Sequence, residues 1–262
     1  MTQILTLMTR IAEAETTSAV WDLACGQYRD WGFSRVNYGF TRFKSDHSIG
    51  DPDDALFLTT LDAVYVKSYF RNNFYARTPV FRWAERNSGS CTWGWVKAAY
   101  EAGTLPPDEA ETVPQNAAIG VVAGISVSFP TASMRSKGAL GLIADPGLDH
   151  GAVDRIYADH RLEIEALAHM MHLKLIQLPF AARRRALTAR QREALEWVAD
   201  GKTSQDIALL MGVSAAMVEK HLRLAREALD VGTTAQAVAK AALMNQIFHQ
   251  VAPDSSSTFA GR

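Results

Sequence analysis

The segment from 187 to 231 constrains the fold more than any other part of this chain, because its capping and turn residues predict three short helices. It reads LTARQREALEWVADGKTSQDIALLMGVSAAMVEKHLRLAREALDV. Thr188 is followed three residues later by Gln191, which is the spacing of a capping box that starts a helix. Gly201 predicts the end of that helix, and Gly212 predicts a tight turn between the next two. The segment therefore predicts a small all-α domain.

The third helix of this segment is the candidate for contact with nucleic acid. Ser214 predicts its N-cap, and a buried stripe recurs at helical spacing through Val218, Leu222, Ala225 and Leu229. Two short helices joined by a glycine turn form a helix-turn-helix, whose second helix enters the DNA major groove. The candidate DNA-binding residues are Ser214, Glu219, Lys220 and Arg223. Lys and Arg contact phosphates or guanine, and Glu accepts from cytosine. The alternative is ordinary solvated charge, with Glu219 paired to Arg223 at i,i+4.

The same segment resembles the DNA-binding domain of the LuxR family of bacterial transcription factors. The matching residues are Leu187-Thr188, Gly201-Lys202, Ile207-Ala208, Ser214, Val218 and His221. The departures are Gln191 and Asp206 in place of Glu, Met217 in place of Thr, and Glu219 where an arginine often stands. The resemblance implies a regulator that binds DNA, and Glu219 puts the usual operator sequence in doubt.

Composition agrees with a small DNA-binding domain beside a larger, acidic one. The chain has 262 residues, 48% of them hydrophobic, enough for two folded domains. Residues 1–178 carry 16 Lys and Arg against 20 Asp and Glu, a net charge of −4. Residues 179–250 carry 10 against 7, a net charge of +3. This asymmetry fits a sensor joined to a DNA-binding domain.

The domain boundaries follow from proline and from composition. An amphipathic stretch at 153–178 predicts a long helix that ends before Pro179, because proline disfavours helix in the residue before it. We therefore expect a ligand-binding domain at 1–178, a basic linker at 179–186 and a DNA-binding domain at 187–250. The polar end of the chain, 251–262, predicts a disordered tail.

The first domain is predicted to be α+β, an α-β-α sandwich with an antiparallel sheet. Helical spacing occurs at 3–16, 18–30, 62–71 and 108–118. Strand patterns occur at 36–43, 124–130 and 139–144, and in the first of these Val36, Tyr38 and Phe40 form one face. Helices before and after a central run of strands favour helices on both faces of the sheet.

Aromatic residues are concentrated between Tyr65 and Trp95, which hold nine of the 24 Phe, Trp and Tyr residues. Such a cluster suits an apolar pocket and equally suits an ordinary core. Its spacing resembles the autoinducer-binding domain of quorum-sensing LuxR regulators, and the matching residues are Tyr69, Pro79, Trp93 and Gly124. The resemblance implies an α-β-α domain that senses an N-acyl homoserine lactone or an analogue.

The departures from the family pattern fall on polar ligand contacts. Tyr65 replaces a tryptophan, Thr78 replaces an aspartate, and Ala144 stands where a hydroxyl residue is expected. From the resemblance, the candidate ligand-binding residues are Tyr65 and Tyr69 as hydroxyl donors, Thr78 as acceptor and Trp93 as an apolar wall. Three interpretations stay open: weaker lactone binding, a different small ligand, or a domain that folds without ligand. A neutral threonine accepts a weaker hydrogen bond than a carboxylate.

Catalytic, metal and membrane functions have little support in the sequence. Motifs for nucleophilic, phosphate-binding, dinucleotide-binding and metalloprotease sites are absent, so we expect no enzyme, cofactor or metal. Cys25 and Cys91 are too few for a disulfide scaffold, and His169 and His172 lack further ligands. With no apolar run approaching about 18 residues, we expect a cytoplasmic protein without membrane contact. A phosphorylation-controlled regulator with the same DNA-binding domain is the rival class.

The expected partners are double-stranded DNA with dyad symmetry and a second copy of the chain. Helix-turn-helix dimers bind operators whose symmetry mirrors their own. The candidate dimer elements are the long helix at 153–178 and a last helix at 235–247, since both carry apolar stripes. Internal packing of both stripes is the alternative.

Overall fold

The computed structural model describes residues 2–44, 50–70, 73–131, 133–179 and 186–248. These residues divide between Leu175 and Ile176 into two compact units. Most of the predicted linker, 180–185, and all of the predicted tail, 251–262, lie outside the described residues.

The first unit alternates helices and strands. Its helices are α1 (Thr2–Glu13), α2 (Thr17–Asp30), α3 (Ala63–Phe70), α4 (Phe74–Arg77), α5 (Pro79–Arg86), α6 (Gly94–Glu101), α7 (Pro107–Ala110), α8 (Thr112–Ala118) and α9 (His150–Gln177). Its strands are β1 (Arg35–Thr41), β2 (Leu56–Thr59), β3 (Gly89–Thr92), β4 (Gly124–Ser128) and β5 (Lys137–Ile143).

The five strands form one antiparallel sheet in the order β2-β1-β5-β4-β3. Alternation along β1 decides what lies on each face, because successive side chains point to opposite sides. The Tyr38 hydroxyl lies 2.9 Å from Nδ1 of His172 on α9, whereas its neighbour Asn37 faces α3. The predicted face of Val36, Tyr38 and Phe40 is confirmed as buried.

Helices cover both faces of the sheet, so the predicted α-β-α sandwich is confirmed. Trp31, the residue that follows α2, stacks on His160 of α9, and Lys174 of α9 donates to the Ala12 carbonyl oxygen of α1 at 2.7 Å. These contacts place α1, α2 and α9 together on one face of the sheet. On the other side, the Ser128 hydroxyl donates to the Ala84 carbonyl of α5 at 2.7 Å. An antiparallel sheet of this kind excludes the parallel sheet expected of a phosphorylation-controlled receiver.

Several elements differ from the sequence prediction. The two edge strands, β2 and β3, were not predicted because each has only four residues and no buried alternation. The predicted helix at 108–118 is two short helices, α7 and α8. Helices α4, α5 and α6 were also missed, and they lie on the side of the sheet that α3 and α8 also cover.

The second unit contains α10 (Ala189–Ala199), α11 (Ser204–Met211), α12 (Ala215–Leu229) and α13 (Thr234–Leu243). The Thr188–Gln191 capping box is present, and Ser214 caps α12 by accepting from the Met217 N–H. Gly212 turns the chain between α11 and α12 with φ of 66°, a left-handed conformation that glycine tolerates. The predicted helix-turn-helix is therefore confirmed. Its predicted stripe is buried, at Val218, Leu222, Ala225 and Leu229.

Within the described ranges, no helix is long and apolar enough to span a membrane. The same ranges hold no group of three or more His, Cys, Asp or Glu residues arranged to bind a metal ion.

Candidate functional site

A cavity of about 590 Å³ lies between the sheet and the helices α3 to α6 and α8. This volume falls within the range of small-molecule sites, roughly 300–1,000 Å³. The floor is formed by alternate residues of β1, β5 and β4, whose register places Asn37 opposite Gly141 and Gly141 opposite Ser126. Small side chains at these positions leave the volume above the sheet open.

All four predicted ligand-binding residues line this one cavity: Tyr65, Tyr69, Thr78 and Trp93. They come from α3, from the start of α5 and from the residue after β3, so only the tertiary fold brings them together. Tyr65 and Trp93 also share a small apolar cluster with Val121 and Ile143.

Tyr65 is held by a hydrogen-bonded pair of side chains on the sheet. The Asn37 amide N–H donates to the Tyr65 hydroxyl oxygen at 3.0 Å, and the Thr59 hydroxyl donates to the Asn37 carbonyl oxygen at 2.6 Å. Burial raises the pKa of Tyr65, against the opposing effects of the Asn37 hydrogen bond and the Arg35 charge. Because the hydroxyl stays protonated and already accepts from Asn37, it is set up to donate to a ligand.

Tyr69 lies in a column of aromatic rings along one wall. Its ring centroid is 6.2 Å from that of Phe57 and 5.5 Å from that of Tyr65, with nearly parallel planes in both pairs. Burial is the largest of the effects that raise its pKa, so the phenol stays neutral. The wall is therefore apolar in its ring faces and polar only at its hydroxyls.

Thr78 is buried, with 2% of its surface exposed, and precedes α5 as its N-cap residue. Its hydroxyl donates to the Tyr75 carbonyl at 2.8 Å, which occupies its single proton. A hydroxyl has one donor and two acceptor lone pairs, so Thr78 can offer a ligand only a neutral acceptor.

Trp93 closes the cavity next to β4. Its indole N–H donates to the Ser126 hydroxyl at 2.9 Å. The ring packs so closely on Gly124 that a Cβ there would lie 2.9 Å from the ring and 2.3 Å from the Leu142 carbonyl oxygen. The close approach of the Trp93 ring and the Leu142 carbonyl oxygen therefore requires glycine at position 124. Ser126 accepts from Trp93 and so keeps its own proton for another partner.

Asn37 and Ser126 are polar cavity residues that the sequence prediction missed. Both lie on strands between buried apolar residues. A polar side chain at such a position was the sequence signal that could have identified them. The expected hydroxyl position at Ala144 was wrong. Ala144 follows β5, donates its N–H to the Ala123 carbonyl and does not line the cavity.

In the second unit, the predicted DNA-binding residues sit at the start and along the exposed side of α12. Ser214 uses its hydroxyl as the helix cap. Lys220 is exposed, and among the described residues it has no ion-pair partner. Arg223 pairs with Glu227 one turn later, and both side chains are more than half exposed. Exposed pairs of this kind contribute only about 0.3–0.5 kcal/mol, so the guanidinium can exchange this partner for another.

Glu219 does not pair with Arg223, contrary to the structural alternative proposed for it. Its carboxylate instead accepts from the hydroxyl of Ser204, the first residue of α11, at 2.6 Å. Arg223 is directed toward Glu227 and away from Glu219. The two helices of the turn are thus linked by a polar bond at their exposed ends.

Residues 16–175, more than half of the chain, match the family described as autoinducer binding domain. The chain belongs to this family of quorum-sensing transcriptional regulators. Residues 184–229 match a second family, described as sigma-70, region 4, which covers α10 to α12 of the helix-turn-helix. Members of the LuxR-type family are transcription regulators and not enzymes, so the predicted family and class are confirmed.

Two curated relatives and one solved structure are similar to this chain. The chain is 27% identical over 219 residues to the transcriptional activator SolR of Ralstonia nicotianae, covering 81% of this chain and 85% of SolR. It is 30% identical over 118 residues to the quorum sensing-dependent regulator RpaR of Rhodopseudomonas palustris, covering 45% of this chain but only 40% of RpaR. The crystal structure of Escherichia coli SdiA shares the fold, with a TM-score of 0.54 at 19% identity and coverage of 95% and 99% of the two chains.

Proposed function

We propose that this LuxR-type regulator binds an acyl homoserine lactone or a related acyl compound in its cavity and responds by binding DNA. The observation that carries the proposal is that Tyr65, Tyr69, Thr78 and Trp93 line one cavity of about 590 Å³. Tyr65 donates to a ligand carbonyl, and the Trp93 ring forms an apolar wall.

Two hydroxyl groups in the cavity are available to donate to a ligand. Tyr65 and Ser126 each have a hydroxyl whose oxygen already accepts a protein N–H, so both are set up to donate. Carboxylates that line the cavity already contact protein groups: Glu85 contacts Lys44, Glu101 contacts Lys97, and Asp149 accepts from the Ala152 N–H. At the position of the family's aspartate, Thr78 offers the amide of a lactone signal only a neutral acceptor. We therefore propose that recognition of the amide is relaxed, and that acyl compounds without an amide also bind.

Calorimetry with a lactone series and matched amide-free acyl esters tests this proposal. Wild-type protein should bind members of each pair with similar affinity. Thr78→Asp should favour the amide by about tenfold, because a hydrogen bond to a charged acceptor exceeds a neutral one by roughly 1–1.5 kcal/mol. Thr78→Ser, which keeps a neutral hydroxyl, is the matched control and should behave as wild type.

The outcomes separate the open interpretations. Strong rejection of the esters by wild-type protein would contradict relaxed recognition and require another acceptor. If neither series binds, and mass spectrometry finds no small molecule retained by the purified protein, the domain folds without ligand.

The active species is proposed to be a homodimer on a dyad-symmetric duplex. The stripe predicted for the dimer packs internally instead: Ile164, Leu167, Met171 and Leu175 are buried within α9. Leu162 and Leu173 remain exposed on α9, at 80% and 51%, eleven residues apart and therefore on the same side of the helix. Exposed leucines on one helix face favour contact between two copies.

The DNA-reading side chains are proposed to be Lys220 and Arg223. Both lie on the exposed side of α12, opposite its buried stripe, and both are cations that contact phosphates or guanine edges. Electrophoretic or fluorescence titration against a selected operator, at fixed salt, tests these roles.

A further inference from the structure

Glu219 places a carboxylate beside cations on the helix proposed to enter the DNA major groove. It lies between buried Val218 and exposed Lys220, one turn after the Ser214 cap. A carboxylate that approaches DNA is repelled by the phosphates, since the backbone favours cations. Its presence on this surface therefore needs a partner other than the backbone.

The Ser204 hydroxyl contacts that carboxylate from the neighbouring helix. It donates to Oε1 of Glu219 at 2.6 Å, across 15 residues of sequence and between α11 and α12. The bond occupies one carboxylate oxygen and leaves the lone pairs of Oε2 for another donor. The bond favours one orientation of the carboxylate, and a side chain with fewer orientations loses less conformational freedom when it binds.

The major groove presents amino groups that match this acceptor. Cytosine offers its N4 amino group there, and Glu is one of the side chains that accept from it. Adenine offers N6 beside the N7 acceptor, a pattern that fits the amide of Asn or Gln better than a carboxylate.

We propose that Glu219 reads a cytosine in each half-site of the operator, and that Ser204 is the positioning residue that aims its carboxylate. This proposal rests on the proposed entry of α12 into the major groove. It implies that one base of the operator is a cytosine at the position that Glu219 faces.

Selection of duplexes from a randomised pool, with the full-length protein at fixed salt, tests the proposal. The variants are Glu219→Gln, Glu219→Ala and Ser204→Ala. Glu193→Gln is the matched control, because Glu193 is a carboxylate on α10 that pairs with Arg190 and not with α12.

The base preference should change at one position of each half-site and stay the same at the others. Glu219→Gln should move its preference from cytosine to adenine. Glu219→Ala should lose that preference, with about 5- to 150-fold weaker discrimination of the cytosine site. Ser204→Ala should still select cytosine but discriminate several-fold less, and Glu193→Gln should match wild type.

Two results would overturn the inference in distinguishable ways. If wild-type protein selects a sequence and Glu219→Gln selects the same one, Glu219 is only a link between α11 and α12, while DNA reading by α12 stands. If wild-type protein shows no base preference, the proposed function of α12 fails together with the inference. Circular dichroism confirms folding, and Glu219→Gln keeps the shape and the Ser204 acceptor.

Discussion

The contact between Gly124 and Trp93 makes a prediction about both stability and ligand binding. Gly124→Ala would place a Cβ 2.3 Å from the Leu142 carbonyl oxygen and 2.9 Å from the Trp93 ring. The first of these atoms belongs to the backbone of the paired strand β5, which cannot rotate away. Overpacking of this kind costs about 1–3 kcal/mol. For a unit of this size, that corresponds to a fall in melting temperature of about 2–12 °C.

Gly141→Ala is the matched control, because it adds the same methyl group to the neighbouring strand. There the nearest atom, the Asn37 carbonyl oxygen, is 4.0 Å from the added Cβ. The methyl points into the cavity, so the melting temperature should stay at or slightly above that of wild type. Gly→Ala at an unstrained site stabilises by about 0.4–1 kcal/mol.

Differential scanning calorimetry on both variants measures the difference, and ligand titration measures its consequence. Gly124→Ala should also weaken ligand binding, because the displaced Trp93 ring no longer forms the same cavity wall. The reasoning is refuted if Gly124→Ala melts at the same temperature as Gly141→Ala, since the close approach then imposes no restraint on the fold.

Three further predictions concern DNA, assembly and pH. Arg223→Ala should weaken operator binding by roughly 1–3 kcal/mol in a titration at fixed salt; an unchanged affinity and base preference would rule out base reading. Replacing Leu162 and Leu173 together by Glu should give monomers at micromolar concentration in analytical ultracentrifugation, and a monomeric wild-type protein would contradict the dimer. Burial, aided by the charges of His169 and Arg42, lowers the pKa of His172 to about 4 in the folded protein, against about 6.5 unfolded. The unfolded chain therefore binds the proton first as pH falls, and stability should drop by roughly 3 kcal/mol between pH 6.5 and pH 4. In urea unfolding measured across this pH range, His172→Phe should lack most of this drop in stability.

The second unit could be predicted closely because its signals are local. The Thr188–Gln191 capping box, the left-handed Gly212 and the Ser214 cap each involve residues only a few positions apart. Such signals act on the backbone within one helical turn and need no tertiary partner. The role assigned to Glu219 was less predictable, since its partner Ser204 lies 15 residues away on another helix.

In the first unit, alternation predicted the long strands but not the edges of the sheet. Strand β1 has a buried face that a period of two reveals from the sequence. Strands β2 and β3 have four residues each and half-buried side chains, so hydrogen bonding to a neighbour defines them more than composition does. The expectation at Ala144 failed because this residue lies just after β5 and outside the cavity lining, which only the tertiary structure reveals.

The sequence by itself determined the class of this protein: its two-part order, its helix-turn-helix, and the aromatic segment whose spacing matches a ligand-binding family. The tertiary structure alone decided the chemistry of the cavity. Asn37 donates a hydrogen bond to Tyr65 across 28 residues, and Ser126 accepts one from the Trp93 N–H across 33. These bonds use up particular donors and acceptors, and so decide which of them remain for a ligand. Periodicity cannot reveal this, because it reports which face is buried, whereas polar pairing depends on which distant strand or helix lies opposite.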